Sequence, residues 1–121
     1  MGHTYPKYAA KVLEVISGDD LQLFVDLGID DLWKKVRVRL HGVDTPDAYH
    51  AKPETPAGAI RDRVKELARK QDCEIEVHEQ KRGGWIVTLH IPHAGPDGSS
   101  LNLNTALIEE GYVFRHKKGG A

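Results

Sequence analysis

The sequence predicts a mainly β fold carrying two helices, in the order three strands, helix, two strands, helix. Three observations carry that expectation. Strand-like runs occur at 10–16, 21–27, 36–43, 73–79 and 85–91, the first apolar and β-branched and those at 21–27, 36–43 and 73–79 alternating apolar with polar residues. Helical spacing occurs at 57–71 and again at 103–111. Turn-forming residues separate these runs, as at Ser17–Asp20, Gly28–Asp31 and Arg82–Gly84.

The first run, AKVLEVI, is apolar and β-branched and ends at Gly18. In the second, LQLFVDL, residues Leu21, Leu23, Val25 and Leu27 share one face, and Phe24 interrupts the polarity of the other. In the third, VRVRLHGV, residues Val36, Val38 and Leu40 face one way and Arg37, Arg39 and His41 the other. Residues 45–58 hold prolines 46, 53 and 56 and show no period, so a long loop is expected, with few apolar anchors and with freedom to move. Thr55 and Pro56 then suit the cap and first turn of a helix whose inward residues are Ile60, Val64, Leu67 and Ala68. Cys73, Ile75 and Val77 point inward in the fourth run, and WIVTLHI is the fifth. Residues 92–100 read as a loop, and Leu103, Ala106 and Leu107 as the core face of a short helix ended by Gly111. YVFRH adds a last extended piece before a basic tail. Short antiparallel strands with a helix between the third and fourth suit a five-stranded Greek-key barrel, the OB-fold; an open α+β sheet is the competing architecture.

The chain of 121 residues is expected to form one domain, its core spanning about 9–114, with flexible N-terminal residues and a flexible 115–121 tail. With 17 Lys and Arg against 18 Asp and Glu, the chain does not hold nucleic acid by bulk charge, although a local basic patch is compatible with that balance. Cys73 is the sole cysteine, so no intramolecular disulfide forms. No apolar run reaches membrane-span length, and MGHTYPKYAA lacks the apolar stretch of a secretion signal. A cytoplasmic, membrane-free, monomeric protein is the expectation, although a disulfide-free secreted protein would carry the same cysteine count.

The chemistry concentrates in RLHGVDTPD, residues 39–47. A meander of the first three strands brings the turn at Asp19 to the end of the third strand, next to Asp44 and Thr45. Two carboxylates, a backbone carbonyl and water form an oxygen-only site for a hard cation, calcium or magnesium. Arg39 points off the core face, where a guanidinium suits bidentate contact with phosphate. Asp47 suits a base that takes a proton from an attacking water. Each feature also has a plain structural reading. Asp-Thr-Pro-Asp is good turn chemistry, Asp19–Asp20 suits an ordinary hairpin, and Arg37 with Arg39 suits a solvated strand face. The spacing of His78, His90 and His93 matches no strong zinc pattern. Trp33 and Trp85 read as core or hairpin aromatics.

The stretches VISGDDLQL and RLHGVDTPD, then Gly58 near the start of a helix, then LNTALIEEGYV, occur in an order that resembles the staphylococcal-type, thermonuclease-like nuclease family over about residues 9–114. The resemblance implies an OB-fold and calcium-dependent hydrolysis of phosphodiester bonds in DNA or RNA, preferably single-stranded. It implies metal ligands at Asp19, Asp44 and the Thr45 carbonyl, a phosphate-gripping arginine at Arg39, and a lysine near a terminal phosphate at Lys81. Three departures stand out. Asp47 replaces the family's general-base glutamate and is shorter by one methylene. An ungapped match puts Gly84 at the second arginine, whereas a one-residue bulge brings in Arg82. The turn reads SGDD, which adds Asp20. Tyr112 and Phe114 lie near the family's base-stacking aromatics, and Lys52, in the long loop, is expected near phosphate. Because the family also holds domains without catalytic residues, a non-catalytic module that binds nucleic acid or a protein partner is the alternative.

Overall fold

The computed structural model describes residues 5–46, 48, 51–68 and 72–112. Asp47, Tyr49, His50, the expected helix end at 69–71, Phe114 and the expected extended piece and tail beyond residue 112 lie outside the described residues, as do residues 1–4.

Strands β1 (Lys7–Ser17), β2 (Asp20–Asp26) and β3 (Trp33–Leu40) form an antiparallel meander. After helix α1 (Pro56–Ala68) come β4 (Asp72–Lys81) and β5 (Gly84–Ile91), a hairpin whose first strand pairs with the N-terminal half of β1. A parallel pairing of β3 with β5, Val38 opposite Trp85 through Leu40 opposite Val87, closes the sheet. The result is a closed five-stranded mixed barrel with the OB-like order, and the open sheet is excluded by that closure. A two-residue strand, β6 (Leu101–Asn102), adds to the end of β5 and leads into the short helix α2 (Leu103–Glu109).

β1 serves both halves of the barrel because it bends. Its register with β2 shifts between Val12 and Glu14 and again between Val15 and Ser17. An extra residue at a bulge reverses the inside–outside phase. Val12 and Val15, three apart, are therefore both buried, and Ser17 follows Val15 to the inside. That phase change carries the Gly18–Asp19 turn into the barrel end.

The third strand was expected at 36–43 but ends at Leu40, because the chain turns at Gly42, where φ is +78°. It begins earlier, at Trp33, whose polar successors Lys34 and Lys35 mask the strand signal. The core is built from the inward faces of β1 to β5, with Leu21, Leu23, Val38, Ile75, Val87 and Leu89 fully buried. α1 packs Ile60, Val64 and Ala68 against this barrel, and α2 adds Leu103 and Leu107. Among the described residues no helix is long and apolar enough to cross a membrane.

Candidate functional site

The turn after β1 and the loop after β3 meet at one buried carboxylate. Asp19 is 3% exposed. Its Oδ1 accepts hydrogen bonds from Thr45 Oγ1 at 2.9 Å and Ser17 Oγ at 3.2 Å. Its backbone carbonyl accepts from Leu40 N–H at 2.9 Å, which fixes the turn to the end of β3. Gly18 is needed for this approach: a Cβ there would lie 2.7 Å from Thr45 Cγ2.

The second oxygen of Asp19 is less well served. Oδ2 has Arg39 Nη2 at 3.5 Å, and the Arg39 side chain is 61% exposed. A buried carboxylate with one long cationic contact retains unused acceptor capacity. Asp44 is exposed, and its N–H donates to the Tyr112 carbonyl at 3.1 Å. Among the described residues no three His, Cys, Asp or Glu side chains gather to hold a metal. A cation here would rest on Asp19, Asp44, the Thr45 carbonyl and water, an all-oxygen set that fits calcium or magnesium with retained waters.

Arg39 also lines a groove of about 360 Å³ with Asp20, Arg37, Lys81, Gly83, Gly84 and Ile86. Asp20, the extra acid of the SGDD turn, is engaged by Arg37, whose Nε and Nη2 donate to its two oxygens at 2.9 and 2.6 Å. Asp20 therefore serves as the clamp of an arginine on the groove wall. Beside the groove is a shallower depression of about 150 Å³, where Lys34, Lys35 and Arg82 join Arg37 and Lys81. A chain with net charge −1 thus concentrates cations along β3 and the β4–β5 turn.

The second arginine sits differently from Arg39. Arg82 is exposed at the hairpin tip and lines the depression with Lys34 and Lys35. Gly84, the alternative position, has φ +151°, and a Cβ there would lie 2.6 Å from the Arg37 carbonyl oxygen. Only glycine fits at this point of the β3–β5 closure. Lys81 lines both hollows and stands 3.9 Å from Glu79. Lys52 is exposed and is not among the residues lining the groove. Tyr112 is half-buried, packs against the core, and its N–H donates to the Leu107 carbonyl.

Two positioning residues escaped the sequence reading. Arg61 of α1 donates to the carbonyls of Ala48 at 3.3 Å and Ala51 at 2.8 Å, and Ala48 is buried. The long loop expected to have few anchors is thus tied down at these residues by polar bonds. Buried Asn104 of α2 donates to the carbonyls of His41 and Val87, each at 3.0 Å, and accepts from Leu89 N–H. It joins the end of β3 to β5 beside the site. A polar residue on the buried face of a short helix was the available signal for Asn104; for Arg61 there was none.

Comparison of the chain with models of known protein families finds no match, and a search of curated proteins likewise finds none.

Proposed function

We propose that this barrel is a metal-dependent phosphodiesterase acting on DNA or RNA, preferably single-stranded. The observation that carries the reading is the Asp19 arrangement: a buried carboxylate held by two hydroxyls, with one oxygen facing Arg39 at the head of a cationic groove. In this reading Asp19, Asp44 and the Thr45 carbonyl hold a calcium ion, with magnesium as the alternative. Such an ion, when bound, supplies charge to a phosphoryl oxygen and acidifies water. Arg39 donates to the phosphate and stabilises the charge that grows on it during attack. Water attacks phosphorus, its proton passes to the Asp47 carboxylate, and the bond from phosphorus to the leaving sugar oxygen breaks as that oxygen takes a proton from solvent water. Arg82 offers a second contact to the phosphate, Lys81 holds a flanking phosphate as the family resemblance implies, Lys52 of the long loop lies near phosphate in the bound state, and Tyr112 is an aromatic near the base.

A second reading rests on Gly84. The Arg37 backbone leaves no room for an arginine there, and Arg82 lies with the lysines of the neighbouring depression. A nucleic-acid-binding module without hydrolysis would look the same along β3. Calorimetric calcium titration together with cleavage of single-stranded DNA in calcium or magnesium separates the two. Calcium binding with cleavage supports the enzyme. Binding of DNA with neither calcium binding nor cleavage supports the module.

A further inference from the structure

The outward face of β2–β3 carries an aromatic pair that the hydrolytic reading does not use. Phe24 and Trp33 stack with ring centroids 5.2 Å apart and planes 26° from parallel, and each is 38% exposed. Neither ring serves the core, which β2 and β3 fill with Leu21, Leu23, Val25, Val36 and Val38. Two large aromatics kept against each other in solvent form a flat apolar platform.

The platform is continuous with the cations. In β3 the residues Trp33, Lys35, Arg37 and Arg39 all point outward, alternating with buried Val36, Val38 and Leu40. Lys35 pairs directly with Phe24 across the strands. Lys34 and Lys35 form no ion pair with any described residue, so their charge is open to a ligand. From Trp33 to Arg39 is six residues, about 20 Å of strand. That span fits the roughly four-nucleotide lower end of single-strand site sizes on such barrels.

Acidic residues set the other limit. Asp26 pairs with Trp33, and Asp30 and Asp31 follow in the β2–β3 loop, where both are exposed and in left-handed backbone at φ +44° and +57°. These carboxylates repel a phosphate chain on the far side of the platform. A polyanion is therefore directed one way, from the aromatic pair over Lys35 toward Arg39 and Asp19.

We propose that the Phe24–Trp33 pair is a base-stacking subsite for single-stranded nucleic acid, set about 20 Å along β3 from Arg39, with Lys35 holding an intervening phosphate. Stacking needs an unpaired base and accepts any base, so the ligand is single-stranded and little constrained in sequence. The subsite deepens the nucleic-acid reading of the preceding subsection and rests on it.

The test is fluorescence anisotropy of labelled decathymidylate in a metal-free buffer, where no cleavage intervenes, together with Trp33 emission in a Trp85→Phe background. The expected results are saturable quenching of Trp33, a Kd weakened about tenfold by Trp33→Ala or Phe24→Ala, and near-normal binding by Trp33→Phe. Unchanged circular dichroism spectra and melting temperatures of the variants separate loss of the platform from a general loss of structure. Equal decathymidylate affinity in wild type and both alanine variants would overturn the subsite and leave the nucleic-acid reading standing. Absence of any decathymidylate binding in this buffer, together with no cleavage on addition of calcium or magnesium, would overturn both. Trp33 emission that shifts on phosphatidylcholine vesicles and not on decathymidylate would overturn it in favour of an apolar partner. Trp33-dependent binding without cleavage on addition of either calcium or magnesium would uphold the subsite and remove the hydrolytic reading.

Discussion

Thr45 Oγ1 donates to Asp19 Oδ1 at 2.9 Å, joining two turns that lie 26 residues apart in the chain. The bond is buried and aims the carboxylate so that its second oxygen faces Arg39. Thr45→Val keeps the shape and removes the donor. It should cost about 2 kcal/mol, because a buried charged acceptor loses a hydrogen bond. Thr45→Ser should recover most of it. Urea denaturation of the three proteins checks this.

Gly84→Arg tests whether the second arginine of the resembling family can simply be restored. The backbone is left-handed here and the Arg37 carbonyl occupies the Cβ position, so the substitution should destabilise by about 2 kcal/mol and add no activity. Thermal melting and a cleavage assay together check the prediction. A stable, more active variant would show that the β3–β5 closure yields more readily than its geometry indicates.

Arg61→Met keeps the side chain's bulk against α1 and removes the donors to Ala48 and Ala51. The barrel should stay folded while the segment between Asp44 and α1 loses its ties. Limited digestion with a glutamate-specific protease should cut after Glu54 faster than in wild type. In the hydrolytic reading, kcat should fall at least about tenfold, because a small misplacement of reacting groups is costly.

His78 makes stability depend on pH. His78 stacks on His41 with ring centroids 4.2 Å apart, meets the tilted ring of Tyr5 at 4.1 Å, and shares a 2.7 Å hydrogen bond with Thr88 Oγ1. Burial, and next the neighbouring His41, hold its pKa below the ordinary 6.5, against a weaker opposing pull from Glu76. The unfolded chain therefore binds this proton more readily than the folded one. The contribution is complete above about pH 6.5 and is lost as pH falls through the lower folded value. The Tm should drop between pH 7 and 5, and His78→Gln should make that drop shallower.

Much of the barrel was legible because alternation survives wherever one face is buried. Val36, Val38 and Leu40 read as inward, and they are. The boundaries failed where local chemistry works against period. Lys7 and Tyr8 belong to β1 through pairing with Glu76 and Ile75 of β4, a long-range contact with no local signal. The two residues of β6 are too few to show a period. At the site, Asp19 and Thr45 were legible as neighbours because the meander dictates it. The Asp20–Arg37 clamp, the Arg61 ties and the Phe24–Trp33 stack were not, since each depends on which rotamer meets which strand neighbour across the sheet. Cys73 read as a small core residue, and its buried thiol, pushed up to about 12, fits that role.

Cleavage of single-stranded DNA by the wild-type protein, Asp19→Asn and Arg39→Gln, each in calcium, in magnesium and in chelator, tests the central claim most directly. The account predicts metal-dependent cleavage by wild type and losses of about a hundredfold or more in both variants, with folding preserved by circular dichroism. Wild-type protein that cleaves with neither metal at high enzyme concentration, or an Asp19→Asn variant as fast as wild type, would contradict it.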